Sequence, residues 1–193
     1  MSLYDALKGR IDGIVIGASA GGIEALTVLL PALSKTQLLS VFVVLHLPRE
    51  RPSLLVEIFK PKCAMQVMEA QDKEPIAPGT IYFATPDYHL LIDKGPQLAL
   101  SADELVNYSR PSIDVLFEAA ADVYRRRLLG IVLSGGNADG AVGLQAIVRA
   151  GGIAVVQEPA GAQVSAMPLA AIRQGAVDYV LPLDQIAELL RAL

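Results

Sequence analysis

The chain is poor in the residues that hold metals or build cross-links. It has one cysteine, Cys63, and two histidines, His46 and His89. A single thiol excludes an internal disulfide framework and suits a reducing compartment, so a cytoplasmic location is expected. There is no CxxC, no HExxH and no close histidine pair, so no metal and no other cofactor is expected. Positive charge is also in short supply. Sixteen Lys and Arg against 20 Asp and Glu give a formal net charge of −4, which argues against a nucleic-acid binder. No apolar run approaches the roughly 18–20 residues that span a bilayer, so no membrane insertion is expected. No secretory pattern opens the chain. Low-complexity linkers and internal repeats are absent, and with 193 residues the chain reads as a single domain over 1–193.

What is present is core-forming sequence, with 53% hydrophobic residues. Short apolar runs alternate with helical patterns. Strands are expected at 11–17, 41–47, 64–70, 128–134, 152–157 and 177–182. Helices are expected at 21–33, 51–60, 111–127, 139–150, 166–174 and 184–193. In the first helix Ile23, Leu26, Leu30 and Leu33 recur at helical spacing. The stretch 79–101 is different. Its three short runs, 79–84, 88–93 and 96–101, are punctuated by Pro, Asp and Gly and suggest a small antiparallel excursion. The alternation implies a doubly wound α/β fold, a mainly parallel sheet with helices on both faces. Ligands of such folds bind beyond the carboxyl ends of the strands, so the loops after strands are the places to look for chemistry.

Three of those loops carry unusual residues. "GASAGG" follows the first strand and holds Ser19. "HLPRE" follows the second and begins with His46. "SGGNADGAVG" follows the strand ending at Leu133 and holds Asp139. Serine, histidine and aspartate at one end of three parallel strands are the components of a serine hydrolase. His46 would take the Ser19 proton, and Asp139 would orient the imidazole and balance its charge. The small residues Ala20 and Gly21 would leave backbone N–H groups free for an oxyanion. A hydrogen-bonded sequence Ser19–His46–Asp139, with steps of roughly 2.6–3.2 Å and looser without substrate, is the geometric expectation. Each residue also has a plainer reading. G-x-S-x-G alone is a weak pattern, and a small-residue βα turn can serve close packing or cradle a phosphate. Against the phosphate, neither G-x-G-x-x-G nor G-K-[ST] occurs. His46 could be a satisfied strand-end histidine. Asp139 could be the N-cap of the helix that follows it. His89 could line a pocket or pack within the excursion. Arg49 and Arg51, just after His46, are candidate partner contacts. The order Ser, His, Asp differs from the Ser, Asp, His order of α/β-hydrolases.

Taken together, "IGASAGG" (16–22), "HLP" (46–48), "RPSIDVLF" (110–117) and "LSGGNADGAVGL" (133–144) resemble the catalytic domain of CheB-type chemotaxis protein-glutamate methylesterases. "PGTIYFATPDYHLLI" (78–92) adds a looser match. The resemblance covers roughly 11–193. It implies hydrolysis of glutamate γ-methyl esters on chemoreceptor helices with release of methanol, and deamidation of receptor glutamines. By position it implies Ser19 as nucleophile, His46 as base and Asp139 as orienting acid, with Ala20, Gly21, Gly136, Asn137 and His89 around the site. The partners implied are methylated chemoreceptor helices and, since only Met1 to Arg10 precede the first strand, a receiver domain supplied elsewhere. The chain departs from the family pattern at Ala20, where threonine is usual, and at Leu45, where glutamine is usual. In the third loop Gly136 replaces a methionine whose N–H serves the oxyanion hole. The alternative is a weakly active or inactive module that keeps this fold to dock a receptor or signalling protein. A nucleotide-binding α/β domain is a third reading.

Overall fold

The computed structural model of the chain describes residues 7, 9–47 and 53–193. Its strands are β1 (Gly13–Ala18), β2 (Ser40–Leu45), β3 (Gln66–Glu69), β4 (Thr80–Phe83), β5 (His89–Asp93), β6 (Gln97–Ser101), β7 (Leu128–Val132), β8 (Ile153–Gln157) and β9 (Tyr179–Leu181). Its α-helices are α1 (Gly22–Leu29), α2 (Leu55–Phe59), α3 (Ile113–Tyr124), α4 (Ala141–Arg149), α5 (Ala166–Arg173) and α6 (Leu183–Ala192). The main sheet runs β3-β4-β2-β1-β7-β8-β9, and every neighbouring pair is parallel. β5 and β6 form a separate antiparallel pair.

The excursion is narrower than the sequence pattern implies. Thr80–Phe83 belongs to the main sheet, inserted between β3 and β2. All four of its residues are buried, and burial on both faces is what a parallel strand between neighbours requires. Only β5 and β6 leave the sheet. Their Leu90, Ile92 and Leu98 close over the layer that contains α3.

The sheet sorts its side chains into two apolar layers by the two-residue period of a strand. Ile14, Ile16 and Ala18 of β1 join Leu26 of α1, Phe59 of α2 and Leu189 of α6. Val15 points the other way and joins Phe117 of α3, Leu144 of α4 and Met167 of α5. Ile23, placed by spacing on the buried stripe of α1, is instead 37% exposed.

α3 and α4 cross closely at Gly143. A Cβ there would stand 2.5 Å from the Phe117 Cβ and 3.1 Å from the Asp114 backbone, so only glycine permits this approach. The crossing brings the amino-terminal ends of the two helices side by side. The winding also reverses at β1, because β2 lies on one side of it and β7 on the other. The carboxyl end of β1 is therefore the crevice where this architecture binds ligands.

Candidate active site

Ser19 and His46 leave adjacent strands at the same level. The parallel ladder continues one step past the strands: His46 N–H donates to the Ala18 carbonyl at 3.0 Å, and Ser19 N–H donates to the Ser134 carbonyl at 2.9 Å. The turn after Ser19 depends on Gly21, whose φ of +79° is a left-handed conformation. A Cβ at Gly21 would also collide with Gln163 and with the Ser134 hydroxyl. Ser134, itself buried, fastens three loops. Its hydroxyl donates to the Ala20 carbonyl at 2.6 Å and accepts the Val164 N–H at 2.9 Å. Gly135 packs closely beneath Ser19, where a Cβ would collide with the Met167 methyl and lie 3.0 Å from the Ser19 Cβ. Ser19 and His46 line one cavity of about 400 Å³ with Ala20, Gly21, Ile23 and Gln163.

Asp139 sits behind His46 and is fully buried. Its Oδ2 accepts from His46 Nε2 at 2.9 Å and from the Ile113 N–H at 2.7 Å. Its Oδ1 accepts from Ser112 Oγ at 2.8 Å, the Asp114 N–H at 3.0 Å and Asn107 Nδ2 at 3.0 Å. Burial pushes this carboxyl up, but the bonds from His46, Ile113, Asp114 and Asn107 outweigh it and hold it below the ordinary carboxylate range.

This corrects the plain local reading of Asp139 as the cap of its own helix. α4 has Gly140 at its N-cap and no side-chain cap. The Asp139 carboxylate instead takes the N–H groups of Ile113 and Asp114, which open α3. Asp114, from the first turn of α3, returns the service: its Oδ1 accepts the Gly140 N–H at 2.9 Å and the Gly143 N–H at 2.6 Å at the start of α4. The two helices exchange their capping carboxylates. Burial pushes Asp114 up to about 6, aided by the Asp139 charge and opposed by the Gly143 and Gly140 N–H groups and the Asn107 amide. The ordinary value is 3.8, so between about pH 4 and 6 the folded protein holds more protons at Asp114 than the unfolded chain does. Stability should therefore fall as pH rises through that window. Asp139 has the opposite sign, since its contribution is lost only as pH falls through its lowered value. Urea midpoints from pH 4 to 7 test this. Asp114→Asn should remove the Asp114 slope whatever it does to absolute stability.

The His46–Asp139 step thus has the expected length, whereas the Ser19–His46 step is open. Among the described residues Ser19 Oγ makes no hydrogen bond. Asn137 stands at the other ring nitrogen, with Nδ2 at 3.3 Å from His46 Nδ1. The amide orientation follows from its other end, because Asn137 Oδ1 accepts the Asp139 N–H at 3.1 Å. Nε2 therefore carries the imidazole proton, and Nδ1 carries the lone pair.

The remaining candidates fall in different places. The N–H groups of Ala20, Gly21 and Gly136 donate to no acceptor among the described residues. His89 does not line the cavity. It is buried in β5, where Nδ1 accepts the Ser112 N–H at 3.1 Å and Nε2 donates to the Glu104 carbonyl at 2.9 Å. It steadies the start of α3 from behind. Arg49 and Arg51 lie outside the described residues. Asn107, Ser112 and Asp114 are the participants that sequence reasoning missed. Their signal was the polar run "NYSRPSID" immediately before an apolar helix. Among the described residues no group of His, Cys, Asp and Glu could hold a metal ion.

The model of the CheB methylesterase family matches residues 14–190. The chain belongs to this family. A Caulobacter vibrioides relative, named protein-glutamate methylesterase/protein-glutamine glutaminase 2, is 37% identical over 182 residues, covering 92% of this chain and 52% of that protein. A Leptospira interrogans relative that carries the unnumbered name provisionally is 46% identical over 178 residues, covering 92% of each. The chain thus spans nearly all of one relative and about half of the other. The crystal structure of the Thermotoga maritima CheB methylesterase catalytic domain superposes with a TM-score of 0.88 at 30% identity, over 95% of this chain and 99% of that one. The expected family, the expected enzyme class and the doubly wound fold are those found. Among the described residues no helix is long and apolar enough to cross a membrane.

Proposed function

We propose that the chain is a cytoplasmic serine esterase that hydrolyses γ-methyl esters of glutamate side chains on chemoreceptor helices, releasing methanol, and that it deamidates receptor glutamines by the same route. The observation that carries this reading is the bond from His46, which lines one cavity with Ser19, to the fully buried Asp139 behind it. The names of the relatives support the substrate chemistry.

The geometry supports the following steps. With Nε2 committed to Asp139, His46 Nδ1 is the nitrogen left to act as base. Ser19 Oγ attacks the ester carbonyl carbon while its proton passes to Nδ1. The oxyanion that forms is met by backbone N–H groups from Ala20 and Gly136, which have no other acceptor among the described residues. Nδ1 then returns the proton to the departing methoxy oxygen as the C–O bond breaks, leaving an acyl ester on Ser19. Water adds to that ester, giving its proton to Nδ1. The bond to Ser19 breaks, Oγ recovers that proton, and the product leaves as the glutamate carboxylate once the second proton of the water is released to solvent. A glutamine substrate follows the same sequence with ammonia as leaving group. Throughout, Asp139 balances the imidazolium charge without taking a proton. The test is methanol release from methylated receptor fragments by the purified protein. No release from any such fragment would favour the docking-module alternative, which draws its support from the open Ser19–His46 step.

Asn137 competes with Ser19 for the Nδ1 lone pair. Serine at this position keeps an oxygen for the Asp139 N–H but is too short to reach the imidazole. Asn137→Ser should speed labelling of Ser19 by a small phosphonyl fluoride roughly 2- to 10-fold, the worth of one ordinary hydrogen bond. Equal labelling rates would show that the amide does not hold the base.

Arg49 and Arg51 carry the proposed receptor contact on sequence grounds, being cations that closely follow His46 in an acidic chain. Replacing both with alanine should weaken receptor binding more at low salt than at high salt. The same affinity loss at every ionic strength, or none, would remove them from the interface.

A further inference from the structure

We propose that Asn107 is a positioning residue of this active site, which bridges two buried carboxylates and through Asp139 holds the His46 imidazole. The inference rests on the esterase reading above for its kinetic consequences but not for its structural ones.

Asn107 lies in the segment between β6 and α3 and does not itself line the cavity that Ser19 shares with His46. It reaches the site because of a tight turn. Asn107 and Tyr108 have φ of +51° and +61°, and the turn is closed by the Val106 N–H to the Ser109 carbonyl at 3.1 Å and the reverse bond at 2.9 Å. Asparagine tolerates the left-handed region better than other residues with side chains. The turn is anchored by Arg110. Its guanidinium meets Asp87 Oδ1 at 2.8 and 3.1 Å and the carbonyls of Ala102 and Asp103 at 2.8 and 2.9 Å.

From this position the Asn107 amide uses both of its protons inward. Nδ2 donates to Asp114 Oδ2 at 2.8 Å and to Asp139 Oδ1 at 3.0 Å. For Asp114 Oδ2 it is the one donor among the described residues, because the other oxygen takes the Gly140 and Gly143 N–H groups. Two carboxylates this close repel, and neither has water to screen it, with Asp114 5% and Asp139 0% exposed. A donor shared between them is the direct remedy. Without it the pair spreads or takes up a proton, and either response displaces the oxygen that faces His46.

The groups around the pair are few. His46 faces Asp139 from the end of β2, and Asp114 faces it from α3. His89 of β5 reaches it only through Ser112, and Arg110 is committed to Asp87. A hydrogen bond donated to a carboxylate favours its charged form, and Asn107 acts in this direction on both carboxyls. Its removal therefore shifts both titrations to higher pH.

The test is Asn107→Gly, which preserves the positive-φ turn and deletes the amide. The expected result is a roughly 10- to 100-fold fall in kcat, the worth of one hydrogen bond to a charged group, with KM unchanged because Asn107 is not part of the wall of the cavity that Ser19 and His46 line. The acid limb of the kcat/KM profile should move to higher pH. A second measurement does not depend on activity. The proton on His46 Nε2, held by Asp139, should shift or broaden in the NMR spectrum of the variant. Asn107→Ser, which suits the turn and offers one donor in place of two, should give an intermediate loss and covers the case in which glycine prevents folding. A folded Gly or Ser variant with wild-type kcat, pH profile and His46 resonance would overturn the proposal and leave Asn107 a turn residue only. If the wild type hydrolyses no ester, the function reading fails, and the His46 resonance still decides this one.

Discussion

Ser19→Ala should abolish ester hydrolysis, with a loss on the order of 10⁴–10⁶ in turnover, and leave the thermal midpoint unchanged. The size follows from removing the nucleophile of a unit whose members act together. The silence in stability follows from the structure. Ser19 Oγ makes no hydrogen bond among the described residues, and the residue is only partly buried. Deleting it strands no polar partner and opens no sealed cavity, so the effect on folding should stay within about 0.5 kcal/mol. A docking module predicts something else, since alanine in place of a non-catalytic serine would change neither turnover nor partner affinity. Methanol release measured beside a thermal melt separates the two. Wild-type turnover in the alanine variant would end the assignment of Ser19 as nucleophile.

Asp139→Asn should fail in both respects. A carboxylate favours the imidazole tautomer with its proton on Nε2, whereas an amide that turns its NH₂ toward that nitrogen favours the wrong one. An amide also cannot balance the imidazolium. A loss on the order of 10²–10⁴ in turnover is expected, by analogy with the corresponding change in serine proteases, which costs about 10⁴. Stability should drop too, by about 1–3 kcal/mol. Asparagine caps an ordinary helix as well as aspartate does, but this carboxylate is surrounded by five donors. Whichever way the amide turns, its NH₂ confronts either Ile113 N–H and His46, or Ser112, Asp114 N–H and Asn107. Circular dichroism at the assay temperature confirms that the folded fraction is being assayed. Near-normal turnover by folded Asp139→Asn would sink its role in the triad.

That Ser19, His46 and Asp139 share one edge of the sheet was legible because strand order made it so. Once 11–17, 41–47 and 128–134 are parallel strands, their succeeding loops share one edge of the sheet. Ser19, His46 and Asp139 then come together whatever their separation in sequence. The cap exchange was not legible. The N-cap rule is local and assigns Asp139 to the helix it precedes. The close crossing at Gly143 that hands it to α3 is a tertiary event. Asn107 was hidden for the same reason, since a turn residue before a helix gives no sign of which buried groups it will meet. The run at 79–84 groups with the excursion by pattern because its flanks resemble those of β5 and β6. The uninterrupted burial of Thr80–Phe83, a property of its neighbours in space, puts it in the main sheet. Ile23 shows the converse limit. Helical spacing found the stripe of α1, but the opening beside Ser19 leaves that end of the stripe uncovered.

The exchange of carboxylates between α3 and α4 bears on the order in which the protein folds. Neither helix carries a side-chain cap of its own, for Ser112 and Gly140 supply none. Each start is completed only by a residue of the other segment, so neither gains its cap, worth about 0.5–2 kcal/mol, before the two have docked. An isolated peptide of either helix lacks that contribution. During refolding, the event that seats α3 against α4 is also the event that gives Asp139 its backbone donors. Enzymatic activity should therefore return with the final cooperative transition and lag behind the helical signal. An intermediate rich in helix but still undocked has all the residues of the site and no oriented base.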